Sequence, residues 1–402
     1  MRPLAGVRVV ECASFVAGPL AGVTLGRLGA EVIRVDLPSG GSDFGRWPLA
    51  ASGESLFWAG LNGGKRSVAI DYRTPEGREL LAALVTAPGE GAGVLVDNMA
   101  GRRRPSYEDL CRRRPDLIHV HFEGHPGGAP AVDYTVNPAT GIAAMTGPVG
   151  AGPVNHVLPA WDLLSGMTIA AAVVSAVLHR RLTGEGAQLE LALADVALAG
   201  VGTLGWLAEA DSAGAGRAQI GNHLFGAFGS DFETSDHQRV MVVALTRGQW
   251  RALCAATGTA EVFAALERAL GVDLDIEGER HRHREIIAAV LRPWFAGRRL
   301  VAVAEALDGK RVLWSQYRDL AEVARLARAD DTSLATEIIQ PGIGPMLATD
   351  SPLRWGGLRA PAEPAPLLGA DTADVLTEVL DLSEPEIDRL RRSGVVIAAS
   401  RE

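Results

Sequence analysis

Two arginine runs and one aspartate-led loop carry most of the chemistry that residue types suggest in this 402-residue chain. The runs are Arg102-Arg103-Arg104 and Arg112-Arg113-Arg114. Arginine's planar fork donates paired hydrogen bonds to phosphate, so such a cluster suits a phosphorylated ligand. A solvated basic face is the plainer reading. The formal net charge is −9, and in an acidic chain a local basic cluster following a strand end is the more informative. The loop is Val132-Asp133-Tyr134-Thr135-Val136-Asn137. On spacing alone Asp133 is a helix cap or turn residue. Asn137 reads as a turn residue and His156 as a satisfied core histidine. All three, with Asn155, fall in an irregular stretch over 130–159 that is rich in Gly, Pro, Asn and Thr. Ligand loops of α/β folds usually have this texture.

Other chemistries are not supported. Gly40-Gly41 and Gly63-Gly64 match neither a P-loop nor a dinucleotide fingerprint, and no GxSxG elbow occurs. The three cysteines, Cys12, Cys111 and Cys254, form no CxxC or Cys/His cluster, so no metal site is expected. His281-Arg282-His283-Arg284 reads as a solvated helix start. The acidic balance argues against nucleic-acid or membrane-surface binding. The longest nearly apolar run, 163–178, is short for a membrane span and fits a buried core helix. The N-terminus reads straight into a strand, without a signal peptide, and a reduced cytoplasmic protein is expected.

Hydrophobic residues at 47% and charged residues at 22% are globular, and 402 residues exceed one ordinary core. Residues 7–11 and 31–36 are short β-branched runs around a glycine-rich helical pattern at 18–29. Thr74-Pro75-Glu76 opens a helix, with Thr74 as cap. Residues 93–97 and 117–121 read as strands around a short helix at 106–113, and 188–192 as a strand before a helix. This alternation implies an α/β fold with a doubly wound parallel sheet. After Gly221 the texture changes. Alternating segments at 228–234 and 239–245 flank a turn, and helical patterns follow at 247–257, 260–270, 284–295 and 301–307. The expected organisation is a large α/β domain over 1–224 and a smaller α+β domain over 225–331. Residues 332–402 return to the large domain, with 340–352 as linker and helices at 371–380 and 384–392.

Several motifs in order resemble the CaiB/BaiF family, the class III CoA-transferases. They include Ala17-Gly18-Pro19, Leu28 through Val35, Lys65-Arg66-Ser67, Thr74-Pro75-Glu76-Gly77 and Val96-Asp97-Asn98. Asp133 with Gly141 and Gly147, Arg180-Arg181 with Thr183-Gly184, and Ser393 through Val396 continue the match. The resemblance implies an interlocked homodimer and an acyl-CoA substrate, with coenzyme A as the bound group and no metal. It also implies that the Asp133 carboxylate attacks the thioester, giving a mixed anhydride and then an aspartyl-CoA thioester. Arg34, Lys65, Asn98, Arg102, Arg103 and Arg104 would hold CoA.

The segments 133–137 and 153–162 are similar to those of members that move CoA between the two carboxyls of one C5 unsaturated diacid. Val16 stands where intermolecular members resembling formyl-CoA transferase carry Gln. Gly221 stands where they carry a glycine tetrad. Val16, Tyr134, Asn137, Asn155 and His156 would then hold the acyl part and its free carboxylate. Two alternatives remain open: intermolecular transfer between small carboxylic acids, and an α-methylacyl-CoA racemase. A racemase uses a His–Asp proton-transfer pair, and His119, His121 and His125 lie close upstream of Asp133.

Overall fold

The computed structural model describes residues 2–101, 105–330 and 332–397. The chain forms two compact units. The first comprises 1–140, 156–207 and 324–402; the second comprises 141–155 and 208–323. The expected small domain at 225–331 thus corresponds to a unit that begins earlier, ends at Val323 and also takes in 141–155.

In chain order the first unit opens with β1 (Arg8–Cys12), α1 (Ala17–Arg27), β2 (Glu31–Asp36), α2 (Leu56–Asn62) and β3 (Arg66–Ile70). Then come α3 (Pro75–Thr86), β4 (Val94–Asp97), α4 (Tyr107–Arg113), β5 (Ile118–Glu123) and α5 (Asp133–Ala139). The short α6 (Ile142–Met145) belongs to the second unit; α7 (Ala160–Thr183), β6 (Ala187–Ala192) and α8 (Leu193–Thr203) complete the series. The six strands pair in parallel in the order β3-β2-β1-β4-β5-β6, and Val396–Ile397 adds an antiparallel edge beside β3. Val9 of β1 stands opposite Val32 of β2 and Val94 of β4. The chain therefore runs outward from β1 to β3, then returns to β4. Between β1 and β4 the winding reverses, and in such sheets ligands bind outside the carboxyl ends of the strands at that point.

Local residue choices explain these elements. Thr74 Oγ1 accepts the Gly77 N–H and starts α3 with Pro75 in its first turn. Ser106 does the same for α4. Alternate residues of each strand enter opposite cores. Val10, Ile33, Val68 and Leu95 join Leu81 and Leu84 of α3 on one face. Val9, Val32, Val94 and Val120 join Ile169 and Val173 of α7 on the other. A sheet covered on both faces needs such near-continuous apolar strands. Helix α7 is long and apolar enough to cross a membrane by length and composition. In this fold one side of it, including Ala170, Ala176 and Val177, is buried in that second core.

The second unit has an antiparallel sheet of Phe228–Glu233, Arg239–Ala244 and Leu313–Gln316. Helices Arg247–Thr257 and Ala260–Leu270 end where the periodicity predicts, each at a glycine in the left-handed conformation. In the return segment, the stretch read as a linker is partly strand: Ala335–Gln340 pairs with Gly344–Thr349.

Candidate active site

A cavity of about 980 Å³ opens at the carboxyl ends of β1, β4 and β5, where the winding reverses. Val16 and Asn98 border it, as expected. Asn98 bridges the reversal: its side-chain oxygen accepts the Ser14 N–H at 3.1 Å and its amide donates to Ser14 O at 3.1 Å. Val16 precedes the first turn of α1 and is nearly buried. Tyr134 is half exposed at the rim, with its hydroxyl donating to Val157 O at 2.8 Å.

Asp133 starts α5 and borders the cavity, yet its side chain is only 2% exposed. Oδ1 lies 2.8 Å from His156 Nε2. Oδ2 accepts the backbone N–H groups of Trp161 at 2.7 Å and Asp162 at 3.2 Å. Those two residues lie in the first turn of α7, whose own N-cap, Pro159, supplies no side-chain bond. The Asp133 carboxylate is therefore the remote cap of the longest helix, placed where the helix dipole favours negative charge. The expectation that Asp133 is the nucleophile is corrected here. Both oxygens are committed and almost no surface is left for an incoming carbonyl carbon. His156 holds Asp133, and Asn137 is fully buried with Oδ1 accepting from Trp161 Nε1 at 3.0 Å. These bonds set the two helices against each other, so neither residue stands where a substrate carboxylate would. Asn155 closes the 141–155 segment of the second unit.

The carboxylate that the fold leaves available is Asp162. It is half-buried, lines the cavity, and no hydrogen-bond donor reaches its oxygens among the described residues. Burial, and next the negative charge of Asp133, push its pKa up to about 6, with Arg46 pulling the other way. A carboxylate short of both water and donors is the more reactive nucleophile. Its sequence context did not advertise this. An acidic residue in the first turn of a helix is ordinary, and only the Asp133 cap shows that Asp162 is not needed for that job.

Arg34 and Lys65 require a second correction. Both are buried and spend their donors inside the protein. Arg34 binds Asp36 at 2.8 Å, Asp43 at 2.9 Å and Asn62 at 3.0 Å, and lies 4.2 Å over the Trp58 ring. These carboxylates outweigh burial and raise its pKa further. Lys65 Nζ reaches Glu11 at 2.8 Å, Pro19 O at 2.9 Å and Asn62 at 3.0 Å, and burial lowers it to about 8. Neither borders the cavity. The network instead ties β1, β2 and the 36–43 turn together beneath it. Arg102, Arg103 and Arg104 lie outside the described residues. The run 112–114 is engaged: Arg112 with Asp109, Arg113 with Glu79, Arg114 with Asp116 and the carbonyls of Ala87 and Gly89.

At the end of β4, Asp97 receives His119 Nε2 of the neighbouring β5 on one oxygen and His121 Nδ1 on the other, the latter at 2.8 Å. Burial alone would raise the Asp97 carboxyl; the two imidazoles bring it instead to about 2. The three ligating atoms lie within 4.8 Å of one another. Each carboxylate oxygen has a ring nitrogen at hydrogen-bonding range, while the other ring nitrogen of His119, Nδ1, is buried without a partner among the described residues. His121 faces the cavity; His119 is stacked beside Tyr107.

Comparison with known proteins agrees with this architecture. Residues 4–372 match the model of CoA-transferase family III. The chain belongs to this family. It is 50% identical to 2-methylfumaryl-CoA isomerase of Chloroflexus aurantiacus over 407 residues, 99% of this chain and 98% of that protein. It is 28% identical to succinyl-CoA:mesaconate CoA-transferase of Haloarcula hispanica, across 94% of this chain and 96% of that one. Among solved structures, a CaiB/BaiF family protein from Brucella suis superposes with a TM-score of 0.76 at 25% identity, covering 94% of this chain and 99% of that chain. The family III assignment makes the chain an enzyme acting on CoA thioesters, and the expected α/β fold with its large parallel sheet is the observed one.

Proposed function

We propose that this family III enzyme moves CoA between the C1 and C4 carboxyls of 2-methylfumaryl-CoA (mesaconyl-CoA), with Asp162 as nucleophile. The observation that carries the chemistry is the half-buried Asp162 carboxylate, raised to about 6 and without a donor, facing a 980 Å³ cavity. The substrate rests on the 50% identity, end to end, with the Chloroflexus isomerase.

An Asp162 oxygen attacks the C1 thioester carbonyl; the C–S bond breaks and CoA leaves as thiolate. The product is a mixed anhydride between Asp162 and C1. The thiolate then attacks the Asp162 carbonyl, giving an aspartyl-CoA thioester and a free C1 carboxylate. The C4 carboxylate of the same acid attacks that thioester, forming the second anhydride. Thiolate returns to C4, and Asp162 is regenerated. No net proton is consumed. Asp133 positions the nucleophile by accepting the backbone N–H groups of Asp162 and Trp161, which fixes the first turn of α7.

We further infer a homodimer. Helix α7 leaves Leu164, Met167, Leu178 and Leu182 exposed, a row that a partner chain would cover. The free thiols of Cys12, Cys111 and Cys254 fit work in the reducing cytoplasm.

Treating the enzyme with thioester and hydroxylamine, followed by peptide mass analysis, tests the nucleophile. A hydroxamate at Asp162 is expected. Modification at Asp133, or none at any aspartate, would overturn the assignment.

A further inference from the structure

The cavity wall is acidic: Glu123, Asp133, Asp162 and Glu190 all border it. An acyl-CoA that carries a second, free carboxylate enters this wall against repulsion unless a cation receives it. Among the described lining residues Arg46 is the one arginine or lysine. Its guanidinium has no carboxylate within ion-pairing distance among the described residues. It is nonetheless held. Its Cζ lies 5.5 Å from the Phe15 ring centroid and 5.4 Å from that of Phe57, both of which also line the cavity. Two aromatic faces orient a guanidinium plane while leaving its N–H edge open for hydrogen bonds.

The Phe15 face is itself fixed at a cost. Phe15 has φ +69°, a conformation that bulky residues rarely adopt. Its N–H donates to Asp43 Oδ2 at 3.1 Å, and Asp43 is gripped by Arg34 Nη2 at 2.9 Å. Arg46 follows in the same turn, its N–H bonded to Asp43 O at 3.2 Å. Ser55 Oγ, the cap of α2, donates to the Arg46 carbonyl at 2.5 Å. The buried Arg34 network thus ends, through Asp43 and Phe15, at the side chain that meets the cavity. Strain maintained by surrounding bonds is typical of ligand clamps.

We propose that Arg46 is the specificity residue of this site: it receives the free carboxylate of a dicarboxylic monothioester and so selects such substrates over monocarboxylic acyl-CoAs. The assignment rests on the transferase reading above. Arg46 takes no part in bond-making. It places the distal carboxylate, and its offset of the acidic wall is greatest when that carboxylate is present. A bidentate arginine–carboxylate contact of this kind is worth about 10- to 100-fold in binding.

The probes are mesaconyl-C1-CoA and 2-methylcrotonyl-CoA, which differ by a carboxylate in place of a methyl group. Hydroxylamine inactivation, followed against thioester concentration, reads capture by Asp162 for both, without requiring isomerisation. The wild type should half-saturate at a concentration about 10- to 100-fold lower with the diacid thioester. Arg46→Gln should remove most of that ratio, and Arg46→Lys should retain part of it. Unchanged thermal melting of both variants excludes misfolding. A ratio that survives in Arg46→Gln overturns the proposal, including the case in which both thioesters weaken together. Failure of the wild type to react with either thioester would instead overturn the nucleophile reading, and the assignment with it.

Discussion

Replacing Asp162 with asparagine should make the protein more stable while abolishing turnover. The folded-state pKa of Asp162 is about 6, against about 3.9 for an unstructured aspartate. The folded protein therefore holds this proton more tightly than the unfolded chain does. The stability associated with the group is complete below about pH 4 and is lost as pH rises through 6. Two pKa units correspond to about 3 kcal/mol, an upper figure for a side chain that keeps some contact with solvent. Asparagine has nearly the same shape and no charge, so Asp162→Asn escapes the loss. Urea unfolding of both proteins at pH 4, 5, 6, 7 and 8 measures it. The curves should coincide near pH 4 and diverge to about 2–3 kcal/mol by pH 8, with the variant above. A variant equal to or less stable than wild type at pH 8 would refute the desolvation argument. A constant difference across the range would do the same. The gain reflects the ordinary conflict between stability and an activated site group.

Other consequences follow from the same geometry. The rate of hydroxylamine trapping should fall in acid with an apparent pKa near 6. Because Asp133's charge is the second cause of the shift, Asp133→Asn should move that limb to lower pH, as a pH–rate profile would show. Asp133→Ala should cost about 2 kcal/mol or more in unfolding experiments, since it leaves the Trp161 and Asp162 N–H groups and His156 without their acceptor. Gly22→Ala should destabilise by about 1–3 kcal/mol, because its Cβ would stand 1.8 Å from Glu11 Oε2 and 3.0 Å from Lys65 Cε inside the buried network; thermal melting reads this directly.

Local patterns carried much of the fold. The apolar runs of β1, β2, β4 and β5 were legible because both faces of a parallel sheet are buried. The helix cap at Thr74 was legible because capping depends on neighbours in sequence; Ser106, read as the first residue of its helix, is the cap instead. The strand Leu313–Gln316 was not, since it is short and half-exposed and is defined only by pairing with Arg239–Ala244. The hairpin of Ala335–Gln340 and Gly344–Thr349 looked like a linker because proline and glycine dominate its turn. The site shows the same division. The loop holding Asp133 and the helix start holding Asp162 were both visible, and each carries an aspartate where a cap is plausible. Which one is consumed as the cap depends on α5 meeting α7 across 28 residues of chain. Arg34 and Lys65 misled for a related reason. Charged residues usually face water or ligand, and here Glu11 and Asp43 arrive from other segments, beside Asp36 two residues along β2, to neutralise them indoors.

A single incubation distinguishes transfer of CoA within one molecule from transfer between two. Purified enzyme is mixed with mesaconyl-C1-CoA and isotopically labelled free mesaconate, and the thioesters are separated by chromatography and weighed by mass spectrometry. Intramolecular transfer predicts conversion to the C4 thioester, equally fast with and without the free acid, and no label in the product. Conversion that requires the added acid, or label appearing in the thioester at the rate of turnover, would contradict it.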